Sequence, residues 1–177
     1  ELSAIREIML GLGLEPAEAA VTEAWMSHRN DVPEWRDLFD QGIIADTIEI
    51  SGTWSQIDQI YDEVIEALKC VKDCVNASAH SSHVYRSGIN LYFTFACLPG
   101  DPDEMGSLYL ESWDKALATT AKLGGGIAHH HGSGRLRKRY LHHDLGISGI
   151  QVLRALKRTL DPQGLLNPHN LIPDEDD

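Results

Sequence analysis

The sequence predicts an α+β protein: an antiparallel sheet flanked by helices, followed by a helical C-terminal segment. Three observations carry this. Segments with apolar residues every three to four positions alternate with short period-two segments, the order from residue 46 to 123 is strand, helix, strand, strand, helix, and no internal repeat is present. The 177 residues suit one domain, or one domain with an appended segment. Composition shifts after residue 123, which divides the chain into a sheet-bearing part, 1–123, and a His-rich loop, helix and tail, 124–177.

Leu2, Ile5, Ile8, Met9 and Leu12 recur at helical spacing and stop at Gly13, the residue type that ends helices in a left-handed conformation. A second helix starts near Pro16, carries Val21, Ala24, Trp25 and His28, and is broken by Asn30, Asp31 and Pro33. Asp46 to Ile50 alternates as a half-buried strand, with Ile48 and Ile50 inward and Thr47 and Glu49 on the other face. The following helix has an apolar stripe of Ile57, Ile60, Tyr61, Val64, Ile65 and Leu68, with Ser55 and Asp58 as its capping residues. Residues 75–97 predict two strands around a bend at Arg86-Ser87-Gly88. In the second of them, Ile89, Leu91, Phe93 and Phe95 alternate with Asn90, Tyr92, Thr94 and Ala96 until Pro99 and Pro102. A long helix then runs to Leu123 with Leu110, Trp113, Leu117 and Ala121 on one face. The last helix carries Ile150, Leu153, Leu156 and Leu160, and Asp161-Pro162-Gln163-Gly164 stops it. The acidic tail from Asp174 to Asp177 is expected to fray.

Composition narrows the functional classes. With 42% hydrophobic and 24% charged residues, the chain folds rather than staying disordered. A net charge of -12 repels phosphate backbones and anionic membranes, so no nucleic-acid partner is expected. Arg135, Arg137, Lys138 and Arg139 form a local basic cluster able to hold a small anion. No apolar run approaches the roughly 20 residues of a membrane span, and no export signal is visible. Cys70, Cys74 and Cys97 are odd in number, which favours free thiols in a reducing compartment and makes the cytoplasm the default. The chain starts at Glu1 rather than Met, as expected of a fragment.

The most unusual local feature is Gly124-Gly125-Gly126-Ile127-Ala128-His129-His130-His131-Gly132-Ser133-Gly134. Three readings apply: a solvated loop, a metal site, or a reactive site in which glycines let backbone approach a ligand while imidazoles move protons. A metal is not expected. His129 and His131 share a face in extended backbone, but zinc needs three or four ligands and no Cys or carboxylate lies at ligand spacing nearby. The glycine run matches neither a Walker motif nor a dinucleotide fingerprint. Cys70 and Cys74, four apart on a predicted helix, read as packing residues. Tyr85 is either a structural tyrosine or a base, and a phenol, with an ordinary pKa of about 10, needs cationic neighbours to serve as one. Arg36 either pairs with Asp37 at the surface or presents its planar fork to a phosphate or carboxylate.

Taken together, several segments resemble a known family. Gly124 to Lys138 resembles the His-triplet segment of the alkyldihydroxyacetonephosphate synthases, flavoenzymes of the vanillyl-alcohol oxidase superfamily. Val84-Tyr85-Arg86-Ser87-Gly88 followed by Leu91 to Ala96 is similar to their catalytic-tyrosine strand. Leu160 to Pro168 resembles the C-terminal signature of FAD-linked oxidases at large, and Trp35-Arg36-Asp37 and Asp46-Thr47-Ile48-Glu49 fall in family order. The resemblance implies that residues 1–123 form a cap over the substrate side of FAD, and that residues 124–177 pack on an N-terminal FAD-binding domain absent from this sequence. The chain by itself would then hold FAD weakly and be inactive. The implied activity exchanges the acyl chain of an acyl-dihydroxyacetone phosphate for a fatty alcohol in ether-lipid synthesis, with no net redox change. By the same resemblance Tyr85 is the catalytic acid/base, and His130 and His131 act on the reacting oxygens. Arg36 and His129 bind substrate, and His131 and Asn167 face FAD. The partners implied are a small-molecule or lipid-phosphate substrate and the missing domain, and a homodimer is allowed. Asn167-Pro168 also agrees with the oxidoreductases of small 2-hydroxy acids, the first alternative. A non-enzymatic module whose histidines bind a metal or a partner is the second.

Overall fold

The computed structural model describes residues 2–31 and 34–173. Pro33 and the acidic tail, on which two of the expectations fall, lie outside them. The chain forms two compact units, Glu1–Asp37 and Leu38–Asp177.

The first unit holds α1 (Leu2–Gly11) and α2 (Ala19–His28), and a short α3 (Trp35–Phe39) crosses the division. Gly13 ends the first helical turn sequence as the sequence predicts: its φ is 73°, its N–H donates to Leu10 O at 3.1 Å, and Leu14 N–H donates to Met9 O at 2.9 Å. No residue of α1 or α2 is buried, so the apolar stripe of α1 has no core within this unit.

The second unit is an antiparallel sheet of β1 (Ile44–Thr53), β2 (Cys74–His80) and β3 (Gly88–Cys97) in the order β1-β3-β2. On its far side lie α4 (Ile57–Lys69) and α5 (Met105–Lys122), and α6 (Leu141–Leu160) follows the His-rich segment. The α+β expectation holds. Antiparallel register puts directly opposed side chains on one face, and the pairs Ile44–Cys97, Ile48–Phe93 and Ile50–Leu91 make that face apolar. Against it pack Ile57, Ile60, Val64, Ile65 and Leu68 of α4 and Leu108, Trp113, Ala116 and Leu117 of α5, all buried. Each Ile, Val or Leu among them contributes about 1.5–3 kcal/mol by leaving water. Asp46 interrupts this face, where its Oδ2 accepts hydrogen bonds from Tyr109 Oη at 2.7 Å and Trp113 Nε1 at 3.1 Å.

Four expectations are corrected. Leu110 is exposed because α5 turns Leu108 and Ala116 inward instead. No side chain caps α4: Gln56 takes the capping position, and Ser55 Oγ instead lies 3.0 Å from Thr53 Oγ1. The final helix kinks at Gly146, where φ is 67°, and of its stripe Ile150 is buried while Leu156 and Leu160 are exposed. Cys70 and Cys74 do not share a helix, since Cys70 caps α4 and Cys74 opens β2. All three cysteines are free thiols. Among the described residues no helix is long and apolar enough to cross a membrane.

Candidate active site on the polar face of the sheet

The opposite face of the sheet carries the pairs Thr47–Thr94, Glu49–Tyr92 and Ser51–Asn90. Period-two alternation predicts Glu49 on this outer side, yet its side chain is 0% exposed. The reason is the glycine run. β1 is an edge strand, and Gly126 extends it by one bridge, with Ser51 N–H donating to Gly126 O at 3.0 Å and Gly126 N–H donating to Ser51 O at 2.8 Å. A Cβ at Gly125 would stand 2.8 Å from Thr120 Cγ2, and one at Gly126 would stand 2.5 Å from Ser51 Oγ. These two glycines therefore let backbone meet protein, where the sequence suggests an approach to a ligand. The bridge delivers His129, His130 and His131 over Glu49.

Arg137 locks that segment down. It is 5% exposed, lies with its guanidinium 4.7 Å from the Trp113 ring centre, and donates to Ile127 O (3.0 Å), Gly132 O (3.2 Å) and Glu49 O (3.4 Å). Arg139 pairs with Asp114 at 2.8 Å. The basic cluster is thus spent in part on structure, and Arg137 is no free anion ligand. Burial lowers the pKa of Arg137, and the charges of Asp46 and Glu49 oppose that.

Within the cluster, Glu49 Oε1 accepts from Asn90 Nδ2 at 2.5 Å and faces His129 Nδ1 at 3.2 Å. Oε2 accepts no well-formed hydrogen bond and faces His130 Nδ1 at 3.1 Å and His131 Nε2 at 3.5 Å. Burial alone would raise the Glu49 pKa. The Asn90 and His129 hydrogen bonds and the His130 and His131 charges outweigh it and hold the carboxyl below its usual range. Asn90 Oδ1 in turn accepts from Ser81 Oγ (2.9 Å) and from the backbone N–H groups of Ser82 (3.1 Å) and His83 (2.9 Å), tying the β2–β3 loop to the site.

Tyr85 projects from that loop, half exposed, with its hydroxyl 2.8 Å from His129 Nε2. One tautomer satisfies both ends: His129 Nδ1–H donates to Glu49 and Nε2 accepts the phenolic proton. A hydroxyl, an imidazole and a buried carboxylate in line form the arrangement by which proteins draw a proton from an oxygen. Tyr85 and His129 border an open groove of about 390 Å³ whose floor includes Gly52, Gly88, Gly124 and Gly126. A groove with a backbone floor and one polar rim fits one side of a flat ring system, provided other residues cover its remaining sides.

The structure brings Tyr85, His129, His130 and His131 together. It places Asn167 elsewhere, in a second groove of about 290 Å³ with Arg154, Lys157, Arg158 and His169. Arg36 belongs to the first unit. Sequence reasoning misses Glu49, Asn90 and His83, and it assigns Arg137 to anion binding rather than to holding the His-rich segment. The available signal was an ionisable Glu49 and an amide Asn90 on strand faces that would otherwise be solvated. Glu49, His83, His129 and His130 each offer a ligand atom, all within 4.8 Å of one another, so the site also has the donors for a metal. The expectation of too few ligands counted only residues adjacent in sequence, whereas the carboxylate arrives from β1.

The antiparallel sheet thus carries a hydroxyl–imidazole–carboxylate cluster on its polar face with an open groove beside it. Residues 1–171 match the family described as FAD linked oxidases, C-terminal domain, and the chain belongs to that family. It is 31% identical over 170 residues to the uncharacterized FAD-linked oxidoreductase YgcU of Escherichia coli (strain K12), covering 89% of this chain and 35% of the relative. It is also 31% identical over 168 residues to the alkyldihydroxyacetonephosphate synthase of Dictyostelium discoideum, covering 92% of this chain and 26% of the relative. Among solved structures it superposes on an alkyldihydroxyacetonephosphate synthase with a TM-score of 0.55 and 27% identity, over 82% of this chain and 24% of that one. The resemblance drawn from the motifs is thereby confirmed at the level of the family. The chain spans 35% or less of the length of these relatives.

Proposed function

We propose that this chain is the C-terminal, substrate-covering portion of an FAD-dependent transferase of the alkyldihydroxyacetonephosphate synthase type, exchanging an acyl for an alkyl chain on dihydroxyacetone phosphate. The observation that carries this reading is the Tyr85 hydroxyl 2.8 Å from His129 Nε2, backed by the buried Glu49. Exchange at the carbon beside the ketone begins with loss of a proton there. Tyr85 takes that proton and returns it, and His129 relays it. His130 and His131 hold the reacting oxygens, and donors on these rings favour the enolate as charge develops. Arg36 pairs with an anionic substrate group, His129 contacts substrate beside Tyr85, and His131 and Asn167 face the flavin. FAD, when bound, supplies an electron-accepting ring against the groove. Most of its contacts belong to a domain outside this chain, on which residues 124–177 pack beside the cap formed by residues 1–123, so the chain alone is inactive. The free thiols suit a reducing compartment such as the cytoplasm.

The test uses the complete flavoenzyme. Tyr85→Phe is expected to lower alkyl-for-acyl exchange by about 100-fold with FAD still bound, as for loss of a general acid/base, and near-normal turnover overturns the role. The match to an FAD-linked oxidoreductase favours a second reading in which FAD oxidises the substrate, and the Asn167-Pro168 ending points to a small 2-hydroxy acid. Rapid bleaching of the flavin by lactate or glycolate would establish it and remove the transferase.

A further inference from the structure

Two of the cysteines meet across the sheet. Cys74 opens β2 and Cys97 closes β3, and the antiparallel register sets them directly opposite each other. Leu98 N–H donates to Asp73 O at 3.0 Å, so a ladder bond flanks the two cysteines instead of joining them. This is the non-hydrogen-bonded kind of pair, in which opposed Cα atoms come to about 4.5 Å. A disulfide needs Cα atoms about 4.4–6.8 Å apart, and the backbone meets that requirement without moving.

An irregularity makes the meeting. Asn76 pairs with Ala96 and Cys74 with Cys97, which leaves Val75 as an extra residue in β2. Regular pairing would set Val75 opposite Cys97. The bulge instead turns Val75 outward, where it is 59% exposed, and brings Cys74 across. Cys74 packs on the apolar face beside Cys97. Burial raises the Cys97 thiol pKa most, the Ser112 hydroxyl eases it, and the adjoining Cys74 thiol raises it again. The other contacts of the two sulfurs are long: Cys74 Sγ–H donates to Asn76 O at 3.4 Å, and Cys97 Sγ lies 3.9 Å from Ser112 Oγ. Cys70, exposed at the end of α4, is opposed by neither.

We propose that Cys74 and Cys97 are an oxidative modification site, which a peroxide converts to a reversible cross-strand disulfide that staples β2 to β3. Cys74 is partly exposed and reacts first, whereas Cys97 is buried. The Cys74 thiolate attacks one peroxide oxygen and the O–O bond breaks. Cys74 becomes a sulfenic acid, and the departing hydroxide takes the thiol's proton to become water. Cys97 sulfur then attacks the Cys74 sulfur, the S–O bond breaks, and the hydroxide leaves with the Cys97 proton as a second water. Two thiols lose two electrons and the peroxide gains them. The second step is intramolecular and needs no solvent path to Cys97. β2 is an edge strand in the order β1-β3-β2 and leads into the loop that carries Tyr85, so the new bond closes the hairpin that presents this loop. Neither sulfur touches the Tyr85 cluster, and the disulfide does not depend on whether the enzyme transfers a chain or oxidises a hydroxy acid.

The experiment treats the complete protein, reduced beforehand, with hydrogen peroxide, then alkylates the remaining thiols and maps its peptides by mass without reduction. A Cys74–Cys97 crosslink is expected, with Cys70 alkylated and the crosslink reversed by dithiothreitol. Amide hydrogen exchange in β2 should slow by roughly tenfold in the oxidised form, because the strand can no longer leave β3 freely. Cys70→Ser should keep the crosslink. Cys74→Ser, at a partly exposed position, should lose it and leave Cys97 unoxidised. A Cys70–Cys74 crosslink, further oxidation of Cys74 with Cys97 untouched, or unchanged exchange in β2 overturns the proposal. Because the readout is a mapped bond rather than turnover, its failure is separate from failure of the Tyr85 assignment.

Discussion

The two faces of one three-stranded sheet are built on opposite physical terms. One face, with Ile48, Ile50, Leu91, Phe93 and Phe95, is covered by α4 and α5 and held by burial of apolar surface, which is non-directional and tolerant of small shifts. The other, with Thr47, Glu49, Asn90 and Tyr92, is covered by the His-rich segment and held by directed contacts. There a shift of about 1 Å breaks hydrogen bonds rather than loosening them. The apolar face supplies the rigidity that the polar face needs, since Glu49 lies between Ile48 and Ile50, both 0% exposed, and cannot move unless they do.

The comparison is broken most severely by Phe93→Ala. Phe93 is 0% exposed at the centre of the apolar face, and truncating a buried Phe costs about 3–5 kcal/mol through lost burial and the cavity left behind. Urea unfolding should show a loss of that size. A loss below about 1 kcal/mol would mean that the sheet is not anchored from this side.

Next is Arg137→Met, which keeps the length of the side chain over Trp113 but removes the donors to Ile127 O, Gly132 O and Glu49 O. Leaving such acceptors unserved costs about 1–3 kcal/mol. Because two of these carbonyls, Ile127 O and Gly132 O, belong to the segment over the polar face and the third ties it to β1, that segment should loosen while α4 and α5 stay packed. Hydrogen exchange is expected to speed up at Gly126 and Ile127 and to remain slow in α4. Equal acceleration in both would show that the two faces are not separable.

This split also decides what was legible in the sequence. α4 and β3 were readable because a single period with one apolar face specifies their burial: Ile60, Val64 and Leu68, or Phe93 and Phe95, need no knowledge of a partner. The site was readable only as an unusual His-Gly string and a motif around Tyr85. Glu49 was assigned to the solvated side because alternation is a local signal, whereas its burial depends on a segment 80 residues away that bridges to β1 through Gly126. Nothing local in the sequence marks that pairing. The exposure of Leu110, Leu156 and Leu160 has the same origin, since which side of a broad apolar stripe is covered depends on the neighbour and not on the stripe.

The smallest expected effect tests how tightly the apolar face is sealed. Cys97 closes that face opposite Ile44 and Cys74, and burial pushes its thiol up to about 11 from the ordinary 9.0. A group whose folded pKa lies above its unfolded one contributes stability that is complete below the unfolded value and is lost as pH rises toward the folded value. Between roughly pH 9 and 11, then, the wild-type protein should lose stability that a Cys97→Ala variant keeps. The difference should reach about 1.4 kcal/mol one pH unit above the unfolded thiol pKa. Tyr109 and Tyr140, both pushed up to about 12 by burial, lose stability at higher pH, but they do so in both proteins and cancel in the comparison. Parallel stability profiles up to pH 10 would mean that water reaches Cys97 and that the apolar face is open at this end.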